Sequence, residues 1–215
     1  MTAKTCADIK PTGLNQKDLV DLMYDLTASL RGVAIKLDVD DAAVSTYVSG
    51  GITAVFNLAI TDSAGNYLDL TQSGESSTVA PTYIITPYGL TEEALLEWMY
   101  QWVYGLNVLC ETLDASAGVA LTTFKANCYT AIMTDKIINR RGQSIGSGTD
   151  YTFNAVDKRG GKLSDWLYDA VNAIETLTEQ MDVDGTLTDT NYEALWFTAQ
   201  VPLTVENSAG SRVGN

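Results

Sequence analysis

The sequence contains no histidine, and lysine and arginine together supply only 13 of its 215 residues. The lack of histidine excludes Ser-His-Asp triads, histidine metal ligands and imidazole acid–base catalysis. Because 27 residues are acidic, the formal charge is −14, which argues against a general nucleic-acid or membrane-surface binder. Such a surface favours solubility or docking onto a basic partner. Chemistry based on carboxylates remains possible.

Cysteines and long apolar runs are also scarce. The three cysteines, Cys6, Cys110 and Cys128, form no CxxC pattern. We interpret them as reduced thiols and place Cys110 and Cys128 in the core. No apolar run approaches the roughly 18 residues of a membrane span, and the first residues lack the apolar centre of a Sec signal. We therefore expect a protein made in the cytoplasm that does not enter a membrane.

Three stretches carry apolar residues at the spacing of one helix face. Shifts of 76 and 144 residues superimpose the first stretch on the other two without gaps. Seven positions are apolar in every copy: Leu19, Leu22, Met23, Leu26, Leu30, Val33 and Leu37; Leu95, Trp98, Met99, Trp102, Leu106, Leu109 and Leu113; Leu163, Trp166, Leu167, Ala170, Ile174, Leu177 and Met181. A tyrosine (Tyr24, Tyr100, Tyr168) and an aspartate after the last apolar position (Asp38, Asp114, Asp182) also coincide. These coincidences predict a threefold internal repeat.

Each long helix is followed by a second apolar segment. The segments cover about 44–60, 121–138 and 190–199, and we expect helix for the last two. For residues 44–60, Gly50, Gly51 and several β-branched residues leave helix and strand both open. One helix pair cannot bury its apolar face alone, whereas three pairs share a core. The predicted fold is mainly α, a bundle of three repeated helix-turn-helix units at about 14–60, 90–138 and 162–200.

Two long connections separate these units, at 61–89 and 139–161. They are expected to be partly β, with a short strand or hairpin near Thr82–Thr86. Residues 60–66 resemble residues 205–211, since each segment contains a Ser-Ala-Gly turn. We expect a single domain over 14–205, flanked by an N-terminal arm at 1–13 and a polar tail at 206–215. Arms and loops of this kind become ordered on neighbouring subunits.

The segment Asp182-Val-Asp-Gly-Thr-Leu187 matches the DxDGT signature of haloacid-dehalogenase phosphatases. In that family the first aspartate is the nucleophile, the second is an acid–base, and magnesium lies between carboxylates. The family places this motif after a buried strand, whereas here an apparent helix precedes it and only residues 188–215 follow. Asp182, Asp184, Thr186 and Glu193 also fit positions 1, 3, 5 and 12 of an EF-hand, but Leu187 replaces the required glycine. We interpret the segment as a turn between helices, without catalytic, cofactor or metal residues; calcium binding stays open.

The candidate interface residues are tyrosines and basic side chains. Trp98 and Trp102 share the core face of their helix, so tyrosines on the other faces are available for protein contacts. Packing at the bundle edge is the alternative for them. The basic residues fall in the second connection, where an acidic neighbouring subunit is a better partner than nucleic acid. The candidates are Tyr24, Tyr100, Tyr104, Tyr168, Arg140, Arg141, Lys158 and Arg159.

The segment Met181–Tyr192 resembles segments common in virion structural proteins of tailed bacteriophages. Leu37–Asp41 and Leu113–Gly118 carry the resemblance in part. It implies a neck, tail or capsid-accessory component, located in the virion and bound to other virion proteins and to copies of itself. The residues alone also favour a non-catalytic assembly protein that forms homo-oligomers. The alternatives are a non-viral protein-binding adaptor that uses the aromatic face, and a magnesium-dependent phosphatase that uses Asp182 and Asp184.

Overall fold

The computed structural model describes residues 7–9, 15–41, 43–44, 46–70, 81, 83–138, 143–145, 152–153, 161–198 and 203–214. This part of the chain is mainly helical and contains several short strands. The prediction of a mainly α fold is therefore confirmed.

Three long helices form the centre of the molecule: α1 (Gln16–Asp40), α2 (Glu92–Ala115) and α3 (Gly161–Val183). The side chain of Asn15 caps α1 by accepting from the backbone N–H of Asp18, and Thr91 caps α2 in the same way through Ala94. All 21 apolar positions of the three superimposed stretches are buried. The helical periodicity thus correctly identified one common core, in which burial of apolar area provides the main driving force for folding.

A tryptophan cluster joins the three helices. The ring of Trp166 on α3 meets Trp98 and Trp102 of α2 edge-on, with centroids 5.5 and 6.2 Å apart. The indole N–H of Trp98 donates to the Thr27 hydroxyl of α1 at 2.9 Å, and Trp102 donates to the Leu26 carbonyl at 3.3 Å. The three indoles fill the core, and those of Trp98 and Trp102 also form hydrogen bonds between α2 and α1.

A short π-helix follows each long helix: π1 (Tyr47–Thr53), π2 (Lys125–Thr130) and π3 (Glu193–Thr198). The second segments are thus shorter and wider than the expected helices. Residues 44–60 hold both a helix and a strand. The prediction of helix through residue 138 is wrong at its end, because residues 136–138 form a strand whose partners lie elsewhere in the chain.

In the described part of the chain, nine short strands form three separate three-stranded sheets. The strands are β1 (Ala7–Ile9), β2 (Leu58–Thr61), β3 (Tyr67–Asp69), β4 (Tyr83–Ile85), β5 (Lys136–Ile138), β6 (Ser144–Ile145), β7 (Thr152–Phe153), β8 (Leu203–Glu206) and β9 (Arg212–Gly214). The strand orders are β3-β2-β4, β6-β5-β7 and β1-β8-β9. Each central strand pairs antiparallel with the next strand and parallel with a strand that precedes a long helix.

The third sheet links the two ends of the described chain. Its parallel strand is β1, which precedes α1, so residues 7–9 of the expected arm pair with residues 203–205. Residues 212–214 of the expected polar tail form β9 on the other side of β8. The central residues of the three sheets, Ile60, Ile137 and Val205, are all buried. Each sheet therefore contributes to the same core as the helices.

The two Ser-Ala-Gly segments form the same turn. Gly65 and Gly210 have φ values of 85° and 82°, a conformation that glycine adopts without steric cost. In both turns the serine backbone N–H and hydroxyl donate to an aspartate on a long helix. Ser63 bonds to Asp21 of α1, and Ser208 bonds to Asp165 of α3. The sequence similarity between the two segments thus corresponds to a shared docking of hairpin onto helix.

Candidate functional site

The aspartate common to the three long helices caps the π-helix that follows it. Each carboxylate accepts hydrogen bonds from two consecutive backbone N–H groups, with N···O distances between 2.5 and 3.2 Å. The groups are Asp38 with Tyr47 and Val48, Asp114 with Phe124 and Lys125, and Asp182 with Tyr192 and Glu193. These N–H groups have no partner inside a helix, so the carboxylate satisfies them and complements the positive helix start.

Both carboxylates of the phosphatase-like motif accept hydrogen bonds from backbone N–H groups. Asp182 lies in the last turn of α3 and caps π3, whereas the phosphatase family places its motif after a strand. Asp184 is buried and accepts from the backbone N–H groups of Ala120, Leu121 and Thr186 at 2.9 to 3.2 Å. Within the described ranges, no cluster of three or more His, Cys, Asp or Glu side chains could hold a metal ion.

A second polar position, two residues after the capping aspartate, connects neighbouring segments. It holds Asp40, Ser116 and Asp184. The Tyr192 hydroxyl donates to Asp40 at 2.7 Å, and the Ser116 hydroxyl donates to Asp41 at 2.6 Å. Tyr47 also donates to Asp41. We call the set Asp40, Asp41, Tyr47, Ser116, Asp184 and Tyr192 the polar hub.

Burial shapes the electrostatics of the polar hub. It raises the pKa of the Tyr47 and Tyr192 phenols, and their carboxylate acceptors raise the pKa further, so both phenols remain donors. Burial alone would raise the pKa of Asp184, but hydrogen bonds from Leu121, Thr186 and Ala120 outweigh it and hold that pKa below its usual value. The buried carboxylates thus have fixed donors, which fits a joint between segments.

A second acidic group involves the residue just before β5 and two residues of α3. It consists of Asp135, Asp165 and Asp169, and we call it the acidic joint. Burial raises the pKa of Asp169 to about 7, and the charges of Asp135 and Asp165 add to this effect. Burial also raises the pKa of Asp135. The charge of Asp165 raises this pKa further, whereas the charge of Lys162 lowers it. None of these three residues was among the candidates from the sequence.

Fewer of the corresponding positions in the other copies are acidic, although Asp25 of α1 matches Asp169 by a shift of 144 residues. A shift of 68 residues places Gln101 of α2 at the position of Asp169. Asp135 precedes the central residue of its sheet by two positions, as Leu58 does in the first sheet. Gln101 and Asn57 form two hydrogen bonds of 2.6 and 3.0 Å. The sequence signal for the acidic joint is therefore Asp135, which replaces an apolar residue of the first sheet.

The candidate tyrosines lie at the edge of the core. Tyr24, Tyr100 and Tyr168 are half-buried and pack against it, whereas Tyr104 is exposed. Tyr100 and Tyr104 are brought together, with ring centroids 6.2 Å apart and an interplanar angle of 65°. The basic candidates Arg140, Arg141, Lys158 and Arg159 lie outside the described residues.

Several exposed apolar side chains were not among the candidates. They are Ile35 and Val39 on α1, Tyr67 on β3, Ile84 on β4, Tyr88 in the next turn, Val183 at the end of α3 and Leu195 on π3. The superposition of the copies contains a signal for one of them, since the position of Ile35 is Glu111 in α2 and Glu179 in α3. The helix itself therefore does not require an apolar residue at the position of Ile35.

The cysteines expected in the core are buried and free. Cys110 lies on α2 and Cys128 on π2. Burial raises the pKa of Cys110, and it raises that of Cys128 to about 12, so both thiols remain protonated and unreactive at neutral pH. Cys6 is outside the described residues.

Comparisons with known proteins add no relative. No family model, curated protein or solved structure matches this chain. None of the described helices is both long and apolar enough to cross a membrane.

Proposed function

We propose that this protein is a non-catalytic structural component of a tailed-phage particle, in the neck, the tail or an accessory layer of the capsid. It binds copies of itself and other virion proteins through exposed apolar and aromatic side chains. The observation that carries the proposal is that the motif residues form hydrogen bonds within the fold. Asp182 and Asp184, which resemble catalytic carboxylates, both receive backbone hydrogen bonds within the fold.

The virion assignment also draws on the resemblance of Met181–Tyr192 to segments of phage structural proteins. In this chain that segment ends a long helix, caps a π-helix and contributes Asp184 and Tyr192 to the polar hub. Asp38 and Asp114, which correspond to Asp182 in the other two copies, have the same capping role. A segment whose polar residues stabilise a rigid body suits a particle component, because such a component must present fixed surfaces to its neighbours.

We infer that three copies of one unit build the domain. Each copy has a strand, a long helix, a π-helix and a hairpin. The first strand of the second and third copies completes the sheet of the preceding copy, and that of the first copy completes the sheet of the third. The shared apolar positions, the repeated aspartate caps and the two matching Ser-Ala-Gly turns support this inference. The unit differs from the expected helix-turn-helix in having a hairpin and a leading strand.

The assembly role is tested by sedimentation velocity and electron microscopy of the purified chain. We expect ordered oligomers whose formation weakens at least tenfold in Ile35→Glu, a residue that α2 and α3 already carry at this position. The variant should keep its helical circular dichroism spectrum. Glu179→Gln changes an exposed residue of α3 at the same position and is the matched control. A chain that stays monomeric at every soluble concentration contradicts the proposal.

Gene neighbourhood provides an independent test of the virion assignment. Genes for a portal protein, a large terminase subunit or a tail tube should lie alongside the gene for this chain. If they do not, and if the chain assembles only with unrelated cellular proteins, the adaptor alternative is correct. The contact between the half-buried Tyr100 and the exposed Tyr104 is the observation that favours an adaptor surface.

The phosphatase alternative predicts magnesium-dependent turnover that Asp182→Asn abolishes. We expect no such turnover, because both oxygens of Asp182 accept backbone hydrogen bonds from π3. Magnesium-dependent hydrolysis of a generic phosphomonoester by the wild type, lost in the variant, would overturn the structural proposal.

A further inference from the structure

We propose that β1 is an exchangeable strand, so that in the assembled protein residues 7–9 of one copy occupy the edge of β8 in a neighbouring copy. This proposal rests on the assembly role above. It specifies which segment connects the copies and which surface receives it. The partner is therefore a second copy of this chain.

The geometry of β1 is that of a strand that joins two consecutive units. β4 pairs parallel with β2 and leads into α2, just as β1 pairs parallel with β8 and leads into α1. The register is equivalent, since Ile60 faces Ile85 and Val205 faces Ile9. Six residue steps separate Ile85 from the cap of α2 at Thr91, and six separate Ile9 from the cap of α1 at Asn15.

The three parallel pairings differ in how the chain connects their strands. Residues 62–82, 21 in all, connect β2 to β4, and residues 139–151, 13 in all, connect β5 to β7. These short connections keep each strand close to its partner. Residues 10–202, 193 in all, separate β1 from β8. The pairing of β1 with β8 is thus a contact between opposite ends of the described chain, which a second copy is able to supply.

Exchange would preserve the hydrogen bonds of the sheet. The β1 strand of a neighbouring copy offers the same three residues to β8 in the same register, so the free energy of pairing changes little. Without β1, the edge of β8 would expose unpaired N–H and C=O groups, which drives the recruitment of another strand. Six residue steps separate Ile9 from Asn15, which gives a reach of at most about 20 Å. Exchange is therefore expected where copies are concentrated, as they are in an assembly.

Cysteine cross-linking between two differently labelled chains tests the exchange. Asp8 and Thr204 are paired Cα partners, and adjacent strands have the spacing that a disulfide requires. One chain carries Asp8→Cys and the other carries Thr204→Cys, both in a Cys6→Ser background. They are mixed over a range of concentrations and oxidised. We expect a disulfide-linked dimer of the two chains on a non-reducing gel, with the 8–204 linkage identified by mass spectrometry.

A matched control comes from the first sheet. Ala59 and Ile84 are paired at the equivalent register, but residues 62–82 connect their strands closely. A mixture of Ala59→Cys and Ile84→Cys chains should give at least tenfold less dimer than the 8–204 mixture. A single chain with both Asp8→Cys and Thr204→Cys reports whether the register forms at all. If those variants unfold, Ala7→Cys with Leu203→Cys tests the neighbouring pair.

The outcomes separate this proposal from the assembly role. Sedimentation velocity measures assembly independently of the disulfide. Oligomers without dimer above the control level overturn strand exchange and leave the assembly role intact. Cross-linked dimers that form no larger species support exchange and contradict the particle role. A monomeric chain with no cross-linked dimer contradicts both.

Discussion

Replacing Asp169 with asparagine is expected to stabilise the protein at alkaline pH and to leave its stability almost unchanged near pH 4. Asp169 lies in the acidic joint beside Asp135 and Asp165, with Lys162 as the nearby cation. Asp165 cannot turn away, because its carboxylate accepts both the backbone N–H and the hydroxyl of Ser208. Above neutral pH the three carboxylates therefore repel one another, and the asparagine removes one of the charges.

The sign follows from proton linkage. The folded state holds the Asp169 proton up to a pKa of about 7, whereas the ordinary value is 3.8. Between these values the folded state binds more protons than the unfolded state, so the free energy of unfolding falls as pH rises. This pKa difference corresponds to about 4 kcal/mol at about 1.4 kcal/mol per pKa unit. Because solvent reaches and screens the half-buried carboxylate, we expect about 1–2 kcal/mol of stabilisation by Asp169→Asn at pH 8.

The measurement is urea unfolding at intervals from pH 4.5 to pH 8.5. The difference in unfolding free energy between Asp169→Asn and the wild type should grow with pH and level off above about pH 7, near the raised pKa. Glu179→Gln removes the same charge from an exposed position of α3 and should show no such step. A difference that is independent of pH, or one equal to that of the control, would refute the reasoning.

Three further predictions test the packing and the caps. Gly118→Ala should cost at least about 2 kcal/mol in thermal unfolding, because its Cβ would collide with the carboxylate of Asp41 in the polar hub. Gly185→Ala should be nearly neutral, since no atom lies within 4 Å of its Cβ. Gly105→Ala would place a Cβ 2.8 Å from Phe56 and should cost about 1–3 kcal/mol, and Phe56→Leu in the same chain should recover part of it; full additivity of the two changes would contradict this contact. Asp114→Ala should cost about 1–2 kcal/mol in urea unfolding through loss of the π2 cap, and an unchanged midpoint would show that the cap contributes nothing.

The long helices were predictable because their signal is local and periodic. Each apolar stripe recurs at helical spacing, and caps such as Asn15 and Thr91 mark the first turns. The structure buries every one of the superimposed apolar positions. The π-helices and strands were less predictable. A strand of two or three residues has too few side chains to show a period, and its hydrogen-bond partners come from distant parts of the chain.

The candidate site was predicted only in part. The recurring aspartates were visible in the sequence, but their partners at the π-helix starts were not, because π-helices have no periodic signal. The sequence could not distinguish the half-buried candidate tyrosines from the exposed Tyr104. Helical periodicity indicates which face of a helix a residue lies on, but not which other elements cover that face. The acidic joint depends on Asp135 lying near Asp169, 34 residues later in the chain, a proximity that only folding creates.

The sequence by itself determined the three amphipathic helices, their common core and the repeated aspartate at each helix end. These features depend on side-chain spacing and on burial of apolar area, which a linear pattern encodes. Only the tertiary structure decided where the aspartates bond, which carboxylates are crowded together, and that β1 completes the sheet of β8. Those outcomes depend on contacts between residues far apart in the chain, and their energies exist only once the helices have packed.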